Sequence, residues 1–323
     1  MKILLALVSA SPLIYIASVR YDVGTDYSSY VYIYRSIANG TGFSIEPLFA
    51  LVNRVLSFCN FDYPAVFTVC AIIFLVFVFM AIYEESPNCY LSIFLLVSAG
   101  YYFMSLNVMR QMVSCAILLW SVKFVSKRQF LPFVIAVIVA LGFHYSSILF
   151  LIVYFLNDRR IYHKYVFIIF PLFFASSFLF SDIIVKIASH TLYSGYFESN
   201  LVEGHTAYLV ILIQLAITLL AILFYDNNDK KLKLFYNIQV VSLFLSALSG
   251  TNILAIRLSW PFSLPSVILL PFILTKIKDP LTKFFVQMFV IAFYCSYIYY
   301  SVVISHNHGV LPYDTIFNHG FRW

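Results

Sequence analysis

Long uninterrupted apolar runs separated by short polar connectors make up most of this chain. Runs of spanning length fall near 2–18, 63–83, 89–107, 108–125, 165–181, 206–225, 234–254, 258–275 and 284–304. They are continuous rather than alternating, which predicts helices and argues against the every-other-residue pattern of a membrane β-barrel. Lipid offers the backbone no hydrogen-bond partners, so only helices and closed barrels span it. The pattern therefore predicts an all-α polytopic integral membrane protein. One more apolar stretch, 130–156, is too long for a single crossing: at 1.5 Å per residue it would make about 40 Å of helix against a hydrocarbon core of about 30 Å.

Charge turns that excess length into a topology. Lys123, Lys127 and Arg128 precede the stretch, and Arg159, Arg160 and Lys164 follow it. Basic residues at span ends mark the cytoplasmic side, so the stretch should enter the membrane and return as a broken or re-entrant helix pair. Its bend is expected at Leu141-Gly142-Phe143-His144, with His144 at the tip of an outward-pointing hairpin. Counting two arms gives about 11 transmembrane helices, with the N-terminus cytoplasmic and the C-terminus on the outer side. Lys2 and the clusters at Lys230, Lys231, Lys233 and at Lys276, Lys278, Lys283 join the inner set. Arg20, Arg35, Arg54, Arg110, Lys186, Arg257 and Arg322 are left scattered outside. Residues 1–323 read as a single transmembrane domain with outer loops at about 19–62 and 182–205, the second a candidate lid.

Composition supports the class and removes others. The chain is 62% hydrophobic and 11% charged, whereas soluble domains carry about 25% charged residues. Its net charge of +6 belongs to cytoplasmic loops, and no nucleic-acid partner is expected. Five cysteines without paired spacing read as small buried hydrophobes. His306, His308, Asp314 and His319 in the tail make only a weak ligand pattern, so no metal is expected. The sequence carries no nucleotide-binding or serine-nucleophile signature.

Candidate chemistry concentrates between residues 19 and 49. Arg20, Asp22, Asp26, Arg35 and Glu46 lie there with Gly24, Gly40, Gly42 and the tyrosines Tyr27, Tyr30, Tyr32 and Tyr34. Residues 26–38 can form a helix with Tyr27, Tyr30, Val31, Tyr34 and Ile37 on one face. Residues 46–58 can form another, started by Ser44 and by Pro47 in the first turn. Both would lie along the membrane interface. Ionisable groups in apolar surroundings are costly and point to function. Those singled out on the outer side are Arg20, Asp22, Asp26, Glu46, Arg110 in LNVMRQMVS, His144, and Arg257 in NILAIRLSW. Three arginines around one cavity would suit a multiply charged anion, since guanidinium stays charged and pairs with phosphate oxygens. Five of these residues also have a plainer role. Arg20 and Arg257 could anchor at the interface, Asp26 could cap a helix, Glu46 could complement a helix dipole, and His144 could bond a freed carbonyl.

In this order the motifs resemble those of the Wzy-type bacterial polysaccharide polymerases, specifically the EpsG-like family. The matching blocks are R-x-D-x-G-x-D-Y (Arg20, Asp22, Gly24, Asp26, Tyr27), E-P-L-F (Glu46 to Phe49) and M-R-Q (Met109 to Gln111). G-F-H-Y-S-S (Gly142 to Ser147), R-L-S-W-P-F from Arg257 and P-Y (Pro312, Tyr313) follow. The resemblance implies a fold like that of the membrane glycosyltransferases with lipid-linked donors (GT-C-like), in the bacterial inner membrane, with a site facing the periplasm or exterior. It implies an undecaprenyl-diphosphate-linked glycan donor and acceptor, membrane lipid and a chain-length regulator protein as partners, and no cofactor. Arg20, Arg110 and Arg257 would hold the donor diphosphate. His144 would be the general base, with Asp26 or Asp22 as rival, and Glu46 would orient the sugar or brace an arginine. The product could be O-antigen, capsule or exopolysaccharide. Two other readings remain open: a transporter or flippase of lipid-linked sugars, and a multispanning sugar O-acyltransferase using His144.

Overall fold

Eight consecutive residues of one helix, Met112 to Leu119, are each 2% exposed or less. That helix, α7 (Met109–Ser126), is buried on every side, and its small polar residues Ser114, Cys115 and Ser121 let neighbouring backbones approach closely. The computed structural model describes residues 2–41, 44–157, 159, 161–179, 205–248 and 256–319. These are helical apart from connecting turns and one isolated antiparallel bridge between Arg20 and Thr315. Their contacts fall into two units, Met1–Leu151 with Ile277–Trp323, and Ile152–Lys276.

In the first unit α7 packs between α4 (Pro64–Glu85) and α8 (Phe130–Leu141), and α1 (Lys2–Val19) packs on α4. Hydrogen bonds and ion pairs fix which ends meet. The Tyr83 hydroxyl near the end of α4 donates to Ser9 Oγ in the middle of α1 at 2.7 Å, while Arg20, just past the end of α1, stands over Phe67 near the start of α4, so these two helices are antiparallel. Lys123 Nζ near the end of α7 lies 3.0 Å from Glu84 Oε2 near the end of α4, so those two are parallel. Lys127 and Arg128 follow Lys123 at that same end. The opposite end, about 27 Å away along an 18-residue helix, holds Arg20 over the Phe67 ring at the start of α4 and beside Met109 at the start of α7. This end also carries α2 (Tyr27–Ala38) and α3 (Pro47–Phe58). α2 buries Tyr27, Tyr30, Ile33, Tyr34 and Ser36, a face rotated slightly from the expected Val31 and Ile37.

The long apolar stretch breaks where its glycine and histidine predict. α8 stops at Leu141, residues 142–144 leave the helix, and a 3-10 segment runs from Tyr145 to Leu151. Two further bends occur in runs whose apolar pattern is unbroken. The 89–107 run is two helices, α5 (Cys89–Ser98) and α6 (Tyr101–Asn107), bent by 49° at Ala99-Gly100. Gly100 supplies the left-handed backbone, at φ 87°, that this corner needs. The 258–275 run bends by 48° between α13 (Ile256–Ser263) and α14 (Ser266–Lys276), where Pro265 removes a backbone donor. Among the described residues two helices are long and apolar enough to cross a membrane, Pro64–Glu85 and Pro280–Ile304, or four if each bent pair is one span. The second of these is α15 (Pro280–Ile298) continued by a π-helical turn to Ile304. Shorter apolar helices occupy the 2–18, 165–181 and 206–225 runs, while the 108–125 and 234–254 runs hold the 18-residue helices Met109–Ser126 and Lys230–Ala247, which are not among the candidate spans.

The second unit contains α9 (Ile152–Leu156), α10 (His163–Leu179), α11 (His205–Leu223), α12 (Lys230–Ala247), α13 and α14. Polar groups bind α11 to α12: Gln239 Nε2 donates to Gln214 Oε1 at 2.8 Å, and the Ser242 hydroxyl donates to the same oxygen at 3.1 Å. Lys276 closes the unit on Asp229 at 2.8 Å and Asp226 at 3.1 Å. Of the loop expected at 182–205, only His205 lies within the described residues.

Candidate functional site

Glu46 is the residue before α3, the position whose side chain usually caps the first turn. Its carboxylate makes no cap hydrogen bond. One oxygen pairs with Arg110 Nη1, and the other lies 3.0 Å from His144 Nδ1. The capping task passes to another element: the Leu48 N–H in the first turn of α3 donates to the Gly142 carbonyl at 2.8 Å. The carboxylate is thereby left for the cation and the imidazole. Three separate segments meet here, the E-P-L-F turn, the second residue of α7 and the break after α8.

Glu46 is 3% exposed, and burial by itself would raise its pKa. The His144 hydrogen bond and the Arg110 charge outweigh burial and hold the carboxyl below its ordinary value. Arg110 keeps 20% of its side chain exposed and stands 5.9 Å from the Phe49 ring. It also reaches the hydroxyl of Tyr30, a residue read from sequence as one of the tyrosines on a face of the interfacial helix. Behind His144, the Ser147 hydroxyl donates to the His144 carbonyl at 2.7 Å and lies 2.6 Å from Ser114 Oγ on α7. The histidine is thus held through its ring by Glu46 and through its backbone by a serine anchored to the central helix.

The remaining candidates of the first loop are placed differently. Asp26 is half-buried at the start of α2, makes no side-chain cap bond, and its charge acts on Tyr30. Asp22 is exposed, with a left-handed backbone at φ 50°. Arg20 is sealed, at 1% exposure. Its Nη1 donates to the Val23 carbonyl at 3.1 Å and to the Leu106 carbonyl, and its Nη2 lies 3.2 Å from Met109 Sδ. The guanidinium stands 4.5 Å from the Phe67 ring, and burial pushes its pKa down to about 10, which leaves it charged at neutral pH. Gly24 permits this arrangement. Its φ of +105° suits glycine, and a Cβ there would come within 2.9 Å of Asn107 Oδ1 and 3.2 Å of Arg20 Nη1. Gly24→Ala is therefore expected to destabilise the protein by about 1–3 kcal/mol, read as a lower unfolding temperature in detergent. An unchanged transition would show that the Arg20 pocket relaxes around a methyl group.

The EpsG family profile matches residues 3–315. The chain belongs to the EpsG family. Searches of curated proteins and of solved structures found no match. EpsG family membership makes this a membrane protein of exopolysaccharide biosynthesis.

In this EpsG family chain Arg257 belongs to the second unit, in the first turn of α13, half-buried with its guanidinium 5.8 Å from the Trp260 ring. The C-terminal segment is laid over the Arg20 loop. Tyr21 N–H donates to the Asp314 carbonyl at 3.0 Å, Gly24 N–H to the Gly309 carbonyl at 2.9 Å, and the Tyr313 hydroxyl to the Ile16 carbonyl. Asp314 is paired with His319 at 2.7 Å and bonded by Asn318, which hold its carboxyl down to about 2. Sequence reasoning passed over Ser114 and Asn107, and it named Tyr30 and Leu48 only as a helix-face tyrosine and as part of the E-P-L-F block, with no role in the site. Leu48 lies within the E-P-L-F block and could have been found there. Ser114 and Asn107 carry no local signal, because only the packing of α6 and α7 brings them into play.

Proposed function

We propose that this protein is a polymerase that joins undecaprenyl-diphosphate-linked oligosaccharide repeat units by glycosyl transfer at the outer face of the bacterial inner membrane. The reading is carried by the Glu46 carboxylate bridging His144 and Arg110, at the end of the first unit opposite its basic cluster. Basic clusters mark the cytoplasmic side, so the site faces outward, with the N-terminus inside and the C-terminus outside.

The chemistry follows from that bridge. With Nδ1 engaged by Glu46, His144 uses Nε2 to take the proton of an acceptor sugar hydroxyl, and the carboxylate stabilises the imidazolium that forms. The acceptor oxygen bonds to the donor's anomeric carbon. The bond from that carbon to the diphosphate oxygen breaks, and undecaprenyl diphosphate leaves with the electron pair. Arg110, still partly exposed, stabilises the charge growing on that oxygen. Arg257, in the second unit, is a diphosphate-binding candidate by the family resemblance alone. Arg20 would contact it only after the 20–25 loop moves, and in its sealed position it holds the starts of α4 and α7 together. Asp26, half-buried near Tyr30, is the rival base, and Asp22 the more remote one. A chain-length regulator is the protein partner such a reaction would use.

Deleting the protein and resolving the surface glycan by size tests the reading. The expected result is loss of the polymer ladder with single repeat units retained. Loss of all surface glycan would instead indicate a flippase, and an intact ladder lacking acyl groups an O-acyltransferase. Purified protein should extend a lipid-linked repeat unit in vitro, with or without chelator.

A further inference from the structure

Gly142 has an ordinary right-handed helical backbone, φ −65° and ψ −17°, so no conformational constraint calls for glycine. Space does. An ideal Cβ at this position would overlap Leu48 Cγ and come within 2.6 Å of Leu48 Cδ1 and 3.1 Å of Leu48 Cβ. The same two residues share the 2.8 Å hydrogen bond from the Leu48 N–H to the Gly142 carbonyl. Leu48 is two residues after Glu46, and Gly142 is two residues before His144. The contact therefore sits symmetrically behind the 3.0 Å approach of Glu46 Oε1 to His144 Nδ1.

We propose that Gly142 is a positioning residue: its bare Cα is the socket for Leu48, and the Gly142–Leu48 contact sets the Glu46–His144 distance. This deepens the reading of the site given above and rests on it for the catalytic consequence. Two features make the socket specific. The backbone donor at the start of α3 is satisfied by Gly142, which releases the Glu46 carboxylate from capping. The side chain of Leu48 enters the volume that any other residue at 142 would fill. A methyl group there drives the start of α3 away from the hairpin break, and a shift of about 1 Å between catalytic groups costs on the order of 10²-fold in rate.

The test compares Gly142→Ala, Leu48→Ala and the double variant with the unaltered protein. Gly142→Ala is expected to remain folded and to lose about 10²-fold in kcat with a smaller change in KM. Adding Leu48→Ala removes the Cγ and Cδ atoms that the methyl group meets, so the double variant should recover to the level of Leu48→Ala alone. A second readout is independent of polymer formation: the Glu46 carboxyl titration, followed by 13C in glutamate-labelled protein and assigned with Glu46→Gln. That titration should move upward in Gly142→Ala, as the His144 contact is lost, and return in the double variant. Full activity and an unmoved Glu46 titration in Gly142→Ala would overturn the proposal. So would a defect that Leu48→Ala fails to relieve, because the glycine would then serve some other contact. If the unaltered protein forms no polymer, the polymerase reading falls, and the titration alone decides whether Gly142 and Leu48 position Glu46.

Discussion

Replacing His144 by alanine is expected to lower polymer-forming turnover by about 10²- to 10⁴-fold while leaving the fold in place. The large effect on rate follows from the imidazole being the group that removes the acceptor proton. The small effect on folding follows from its surroundings. Glu46 keeps Arg110 as a partner when the ring is gone, and the backbone of residue 144 stays bonded to Ser147. Single-turnover assays with a purified lipid-linked repeat unit, run beside thermal unfolding in detergent, separate the two quantities. Wild-type turnover in His144→Ala would transfer the base role to Asp26 or Asp22. His144→Gln should fare little better, since a neutral amide can accept a hydrogen bond from the hydroxyl but cannot hold the proton.

Arg110→Ala acts on stability as well as rate. The Glu46 carboxylate is nearly sealed, and removing its cation leaves it with His144 and its own backbone N–H. Breaking a buried pair from one side costs about 3–5 kcal/mol. The lower end applies here, because Arg110's side chain is 20% exposed. Loss of the group that meets the leaving diphosphate adds about 10²- to 10³-fold in kcat. Arg110→Lys should recover only part of either effect, because a point charge cannot reach Glu46 and a diphosphate with a planar fork. The pH dependence carries a sign. Because the folded protein depresses Glu46, its contribution is complete above the ordinary carboxylate value of about 4.3. It is lost as pH falls through the lower folded value. Arg110→Ala removes one cause of the depression, so the acid unfolding transition moves to higher pH. Adding Glu46→Gln should return part of the lost stability, because no buried carboxylate is then left short of a cation. Acid transitions that coincide in wild type and Arg110→Ala would mean that the pair contributes nothing.

Much of the helical layout was legible because lipid and packing impose simple demands on composition. Apolar runs marked the helical segments, and basic flanks around 130–156 required a break that Gly142 and His144 located. The bends at Gly100 and Pro265 were not anticipated, since hydropathy reports burial and is silent on direction within a run. Glycine and proline were the available signals in both places. Within the site, unusual residues in apolar surroundings drew attention to Glu46, Arg110 and His144 one at a time. Their pairing was not written in spacing: 64 residues separate Glu46 from Arg110 and 98 separate it from His144. Arg20 shows the converse. Its charge beside a span suggested a ligand, but the surrounding carbonyls and rings enclose it.

The sequence alone determined that this is a helical membrane protein and which polar residues needed explaining, because charge in hydrocarbon is expensive wherever the chain runs. The tertiary structure decided which of those residues act together. That choice depended on steric and hydrogen-bonding facts that exist only between segments: a missing Cβ at Gly142, a Leu48 N–H bonded across a gap, and a carboxylate turned from its own helix toward α7 and the break after α8.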